Sequence, residues 1–153
     1  QEVNLTELVA QVIDRACQGR IDDFSFHTVI KGEPRPVMAD PDALSQALEN
    51  LLTNAEKYSP NCRSATVEIS FGLKKTEVSV IDRGIGLSRK DRKRIFERFH
   101  RVEDELTRKT SGTGLGLTLA RDLVSGFGAQ IHVRSKLGEG SRFTIILPGG
   151  GKK

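Results

Sequence analysis

The chain has 153 residues, 37% hydrophobic and 29% charged, a composition that suits one domain with a single buried core. Its net charge is +4, but the densest basic run, Arg89-Lys90-Asp91-Arg92-Lys93-Arg94, has no interleaved aromatics and the chain has no Trp. That run therefore reads as a solvated helix face, and a nucleic-acid partner is not expected.

No apolar run approaches the roughly 18–20 residues that span a bilayer, and no basic, apolar leader precedes Gln1. The first residue is not Met, which suggests a piece of a longer protein. Cys17 and Cys62 lack metal-ligand spacing and read as reduced thiols of a cytosolic protein.

Asn4 and Glu7 form a capping-box signature, and Leu5, Leu8, Val9, Val12, Ile13 and Ala16 recur at helical spacing to about residue 18. Residues 24–30 and 36–39 read as strands. Asp40-Pro41 supplies an N-cap carboxylate and a first-turn proline, starting a helix that continues to about residue 59. Residues 65–73 and 76–81 form a hairpin joined at Lys74-Lys75. A helical stretch covers 88–95, a polar stretch without periodicity covers 100–111, and a further helix covers 115–127.

Strands at 129–135 and 141–147 follow, linked by Gly138-Glu139-Gly140, and the tail from 149 to 153 is expected to be flexible. With no internal linker, residues 1–148 form one domain. This order predicts an α+β fold: a two-layer α/β sandwich, with a mixed, mostly antiparallel sheet and helices on one face.

At 100° per residue, Leu44, Leu48, Leu51, Leu52 and Ala55 share one side of the helix that starts at Pro41, and Asn50, Asn54 and Lys57 share the other. A polar stripe is ordinarily a solvent face. Asn, however, is a poor helix former where Glu or Lys would serve, and its neutral oxygen suits a hard cation such as Mg²⁺. Lys57, one turn on, can reach a phosphate.

Residues 78–81 alternate like a strand and run into Asp82-Arg83-Gly84-Ile85-Gly86. A carboxylate at a strand end can accept from an exocyclic amine, while glycines admit backbone close to a flat base. The same residues also describe a common Asp-Gly turn. Gly112-Thr113-Gly114-Leu115-Gly116-Leu117 enters a helix, where free N–H groups and the helix dipole favour an anion. The G-x-G-x-G spacing, with no Lys-Ser/Thr after it, is neither a dinucleotide fingerprint nor a P-loop.

In chain order these segments resemble the motifs of bacterial sensor histidine kinases, within the GHKL group that includes gyrase B subunits, heat-shock chaperones and mismatch-repair ATPases. Residues 50–58 resemble the N box, Asp82 to Gly86 the G1 box, and Gly112 to Leu117 the G2 box. Ile95-Phe96-Glu97-Arg98-Phe99 with Arg101 resembles the F box.

The resemblance implies a Bergerat-type ATP-binding fold with ATP and Mg²⁺ as ligands. Asn54 would ligate the metal with Asn50 as second contributor, and Lys57 and Arg101 would contact phosphate. Tyr58 would pack near the nucleotide, Asp82 would accept from the adenine amine, and Gly84 and Gly86 would give the base room. Residues 100–111 would form a lid anchored by Phe96 and Phe99 and hinged on the glycines of the G2 box, whose residues Gly112, Thr113, Gly114, Leu115, Gly116 and Leu117 would bind the nucleotide. Ser141 would place a hydroxyl near the adenine.

ATPases of the group, and several of its serine kinases, carry Glu as general base four residues before the metal-binding Asn; here that residue is Asn50, which takes no proton at neutral pH. Glu49 lies about 100° away around the helix. A neutral imidazole is already a nucleophile, so the reading favours a histidine kinase. None of His27, His100 and His132 is followed by the acidic residue of the family's acceptor motif. The implied partners are a histidine-bearing dimerisation domain upstream and, indirectly, a response regulator. The chain itself is expected to be monomeric, the cytoplasmic portion of a membrane-anchored sensor. The alternatives are an ATPase or serine kinase of the same fold, or a non-catalytic nucleotide-binding module.

Overall fold

The computed structural model describes residues 1–17, 24–57, 64–84, 86 and 116–148. Strand β1 (Glu2–Val3) leads into helix α1 (Leu5–Cys17), followed by β2 (Ser25–Lys31), β3 (Val37–Met38) and helix α2 (Pro41–Lys57). The hairpin β4 (Ser64–Phe71) and β5 (Lys75–Asp82) comes next, then helix α3 (Gly116–Ser125), β6 (Gln130–Lys136) and β7 (Gly140–Pro148). The helical stretch at 88–95, the stretch at 100–111, Cys62 and the tail from 149 lie outside the described residues.

Both expected caps form. Asn4 Oδ1 accepts the N–H of Glu7 at 3.1 Å, and Asp40 Oδ1 accepts those of Asp42 and Ala43 at 3.1 and 3.2 Å. Helix α1 then buries Leu5, Leu8, Val9 and Val12. Helix α2 buries the predicted Leu44, Leu48, Leu51, Leu52 and Ala55, with Ala47 added at the edge of the stripe. Truncating any one of those leucines to Ala costs about 2–5 kcal/mol, by lost transfer energy and the cavity left behind.

The five-stranded sheet has the order β2-β4-β5-β7-β6. All its pairings are antiparallel except β2 with β4, which is parallel. That exception follows from α2, which lies between β2 and β4 in sequence and returns the chain to the end of the sheet from which β2 started. The short strands β1 and β3 pair separately, Val3 opposite Val37.

Alternation along the strands builds the two layers. Ala65, Val67, Ile69 and Phe71 of β4, Thr76, Val78 and Val80 of β5, and Phe143, Ile145 and Leu147 of β7 are buried beneath the helices. The opposite face is polar. There Glu68 lies between Lys31 at 3.5 Å and Arg142 at 2.9 Å, and Ser79 Oγ meets Thr144 Oγ1 at 2.8 Å. Burial opposes ionisation of Glu68, but Arg142 and Lys31 outweigh it and hold the carboxyl below its ordinary value.

No helix among the described residues is long and apolar enough to cross a membrane.

Candidate functional site

Asp82 is the last residue of β5 and continues its buried alternation, so the carboxylate faces the helical layer at 5% exposure. Register sets it in a row with Ala65 of β4, Ser141 of β7 and Ser135 of β6. Two backbone N–H groups, of Gly84 at 2.9 Å and Ser141 at 3.2 Å, donate to Asp82 Oδ1. Burial pushes the carboxyl up from 3.8 to about 6, and those two N–H groups restrain the rise. With both bonds on Oδ1, Oδ2 is the oxygen presented to a further donor such as an amine.

Two glycines lock this acid to the β6–β7 turn. Gly140, at φ +105°, is so close to the backbone of Asp82 and Arg83 that a Cβ would collide with the Asp82 carbonyl oxygen. Gly86, at φ +71°, is equally close to the Lys136 carbonyl. Gly86 is thus required by packing between two chain segments, beyond any room it leaves for a base. Gly84 has its N–H committed to Asp82, closing the turn after β5.

Helix α2 supplies the second part. Asn50 and Asn54 are half-buried and one turn apart. Glu49 faces another way: with Leu8, Gln11, Asp14 and Arg15 it lines the groove between α1 and α2. Helical geometry separates it from Asn54 by about 140°. The paired amide oxygens have the hardness and neutrality that a phosphate-bound Mg²⁺ accepts, since that ion takes few protein ligands and keeps waters. Among the described residues no cluster of three His, Cys, Asp or Glu offers a protein-only metal cage. Lys57 is the last residue of α2.

Helix α3 contributes the third part. It begins at Gly116, packs along α2 and buries Ala120 and Val124. The Leu117 side chain packs against the core. Tyr58, Arg101, Gly112, Thr113, Gly114 and Leu115 lie outside the described residues. The described residues thus bring together a buried carboxylate at the end of β5, two half-buried amide side chains on α2 and the first turn of α3.

A family model described as histidine kinase-, DNA gyrase B- and HSP90-like ATPase matches residues 39–150. The chain belongs to this ATPase family. It is 34% identical over 148 residues to the sensor histidine kinase WalK of Bacillus subtilis, covering 95% of this chain and 24% of WalK. It is 42% identical over 114 residues to the sensor-like histidine kinase SenX3 of Mycobacterium tuberculosis, covering 73% of this chain and 27% of SenX3. The catalytic domain of histidine kinase ThkA, in a nucleotide-free form, matches with a TM-score of 0.80 at 25% identity over 97% of both chains.

The chain spans about a quarter of the length of these curated relatives. In sequence and fold it is an ATP-binding catalytic domain of the sensor histidine kinase type.

Sequence reasoning missed two residues of the site. Ser135 and Gly140 act through cross-strand register, and their only sequence signal is the Gly-x-Gly turn that brings β6 back along β7.

Proposed function

We propose that this domain binds Mg²⁺-ATP and transfers the γ-phosphoryl group to a histidine on a separate dimerisation and phosphoacceptor domain, in two-component signalling. A response regulator then takes the group from that histidine. The observation that carries the reading is on α2: Asn50 stands one turn before Asn54, and Glu49, the nearest carboxylate in sequence, lines the α1 groove instead. Among the described residues of α2, none on the flank of Asn50 and Asn54 is a carboxylate that could serve as a general base for water or a serine hydroxyl.

In this reading Asp82 Oδ2 accepts the adenine N6 amine. Asn54 and Asn50 would hold Mg²⁺, which when bound neutralises phosphate charge. Lys57, Arg101 and the N–H groups leading into α3 bind phosphate oxygens. The imidazole nitrogen attacks the γ-phosphorus with its own lone pair, the bond to the β-phosphate oxygen breaks, and ADP leaves. A neutral imidazole needs no base for the attack, so positioning and charge stabilisation suffice.

The described histidines do not suit the acceptor role. His27 and His132 are exposed on strands, and His132 Nε2 is bonded to Gln130 Oε1 at 3.1 Å. His100 lies outside the described residues.

The test mixes the domain, γ-labelled ATP and a separately prepared histidine-bearing helical domain. Acid-labile, alkali-stable label on the partner is expected. Steady phosphate release without the partner would favour the ATPase reading, and ATP binding without transfer to matched acceptors would favour a nucleotide-sensing module.

A further inference from the structure

We propose that Ser135, on the outer strand β6, sets the base selectivity of the site by fixing which way the Ser141 hydroxyl points. The inference rests on the reading that adenine sits at Asp82.

Ser135 Oγ is 2.9 Å from the Gly140 carbonyl oxygen and 2.8 Å from Ser141 Oγ. A carbonyl can only accept, so the first contact takes the proton of Ser135. Both contacts then exist as hydrogen bonds only if Ser141 donates to Ser135. The hydroxyls form a directed chain from Ser141 through Ser135 to the Gly140 carbonyl. The Ser141 proton is drawn toward β6, away from Asp82, and Ser141 Oγ keeps only lone pairs for a ligand. Because Ser141 stands opposite Asp82 in the β5–β7 register, the end of the sheet presents two acceptors side by side, Asp82 Oδ2 and Ser141 Oγ.

Two acceptors match the 6-amino group of adenine, which carries two N–H donors. They oppose the 6-oxo group of hypoxanthine or guanine, whose lone pairs would face lone pairs. A freely turning serine could rotate its proton toward that oxygen and relieve the opposition; a serine that donates to Ser135 cannot. Ser135 touches no nucleotide in this scheme. It is a positioning residue, and it keeps the site closed to 6-oxo purines.

The experiment measures Kd for ATP and for inosine triphosphate by calorimetry on the whole chain, with Mg²⁺, for the unaltered protein, Ser135→Ala, Ser135→Thr, Ser141→Ala and the Ser135→Ala/Ser141→Ala pair. Ser135→Ala should lower the preference for ATP over inosine triphosphate by roughly three- to tenfold, the scale of one hydrogen bond. Ser135→Thr should retain it. In the Ser141→Ala background, adding Ser135→Ala should leave the preference unchanged, because the two residues act through one hydroxyl. An unchanged preference in folded Ser135→Ala, or an equal loss with Ser141 already removed, overturns the proposal. Should Ser135→Ala unfold, Ser135→Cys, with its weak acceptor sulfur, carries the same expectation. Asp82→Asn serves as the separate control: ATP affinity that ignores it sinks the adenine reading itself, whatever Ser135 does.

Discussion

Gly140 approaches Asp82 so closely, at φ +105°, that no side chain fits between the β6–β7 turn and the end of β5. Both ends of the contact matter to the site: Asp82 carries the carboxylate, and the residue after Gly140 supplies one of the N–H groups that hold it. Gly140→Ala should therefore combine left-handed backbone strain with an unavoidable clash, costing about 2–4 kcal/mol of stability. Gly138 is the internal control. It is also at positive φ, +84°, but has no atom within 4 Å of an added Cβ. Gly138→Ala should cost only about 1 kcal/mol, the conformational part alone. Urea denaturation of the two variants separates packing from backbone preference, and equal losses would remove the packing argument.

Asp82 should trade stability for function. A carboxyl that folding moves from 3.8 to about 6 costs the native state about 3 kcal/mol at neutral pH. The folded group binds its proton more tightly than the unfolded one. Its favourable contribution is therefore complete below pH 3.8 and is lost as pH rises through about 6. Asp82→Asn keeps an oxygen for the N–H groups of Gly84 and Ser141, though a weaker acceptor than a carboxylate. The nucleotide-free variant should gain about 2 kcal/mol above pH 6, with the gain gone near pH 4. The same change should weaken ATP binding roughly ten- to hundredfold, the value of a hydrogen bond to a charged acceptor. Thermal melts across pH, paired with calorimetry, check both halves.

Ionised Asp82 is the better acceptor for an amine, so nucleotide affinity should fall as pH drops from 7 to 5, through about 6. The nucleotide phosphates titrate in the same range. The comparison that isolates Asp82 is therefore the pH slope of ATP binding in the unaltered chain against that in Asp82→Asn. Parallel slopes would show that Asp82 contributes nothing to the pH dependence.

Much of the fold was legible because its signals are local. The caps at Asn4 and Asp40, the leucine stripe of α2 and the alternation of β4 and β5 are each written within one element. Strand β1 was not, since two residues carry no periodicity and Glu2–Val3 is a strand only by virtue of its pairing with β3. The mixed sheet was expected, but that β2 and β4 are its parallel pair was not legible, because hairpin reasoning sees neighbours in sequence and not a crossover through α2.

At the site, Asp82 could be suspected as an acid at a strand end, and the direction of Glu49 followed from angular arithmetic. The second duty of Gly86 against Lys136, and the whole role of Ser135, depend on which residues the sheet sets side by side. No local pattern encodes that.

Removing one amide oxygen should expose the metal's part. Asn54 is half-buried on α2, and in the proposed function its side-chain oxygen ligates the phosphate-bound cation. Asn54→Ala should leave the helix intact, since Ala is the better helix former, yet remove most of the Mg²⁺ dependence of ATP binding. Titrations with and without chelator give the ratio directly. A ratio equal to that of the unaltered protein would place the cation elsewhere.

The choice between kinase and ATPase comes down to one position on α2. Glu49 lines the groove against α1, so Glu49→Gln should leave phosphotransfer to a histidine partner within about twofold, the range of an ordinary surface change. Asn50→Glu does the opposite: it sets a carboxylate one turn before Asn54, on the flank that lacks one. A positioned general base is worth roughly a hundredfold or more when the acceptor is water. Even a poorly placed one should raise phosphate release without a partner by roughly tenfold. Transfer to imidazole, which needs no base, should not rise. Phosphate-release and label-transfer assays on the same preparations decide it. Glu49→Gln that abolishes transfer, or Asn50→Glu that speeds transfer and hydrolysis alike, would reverse the assignment of these two neighbours.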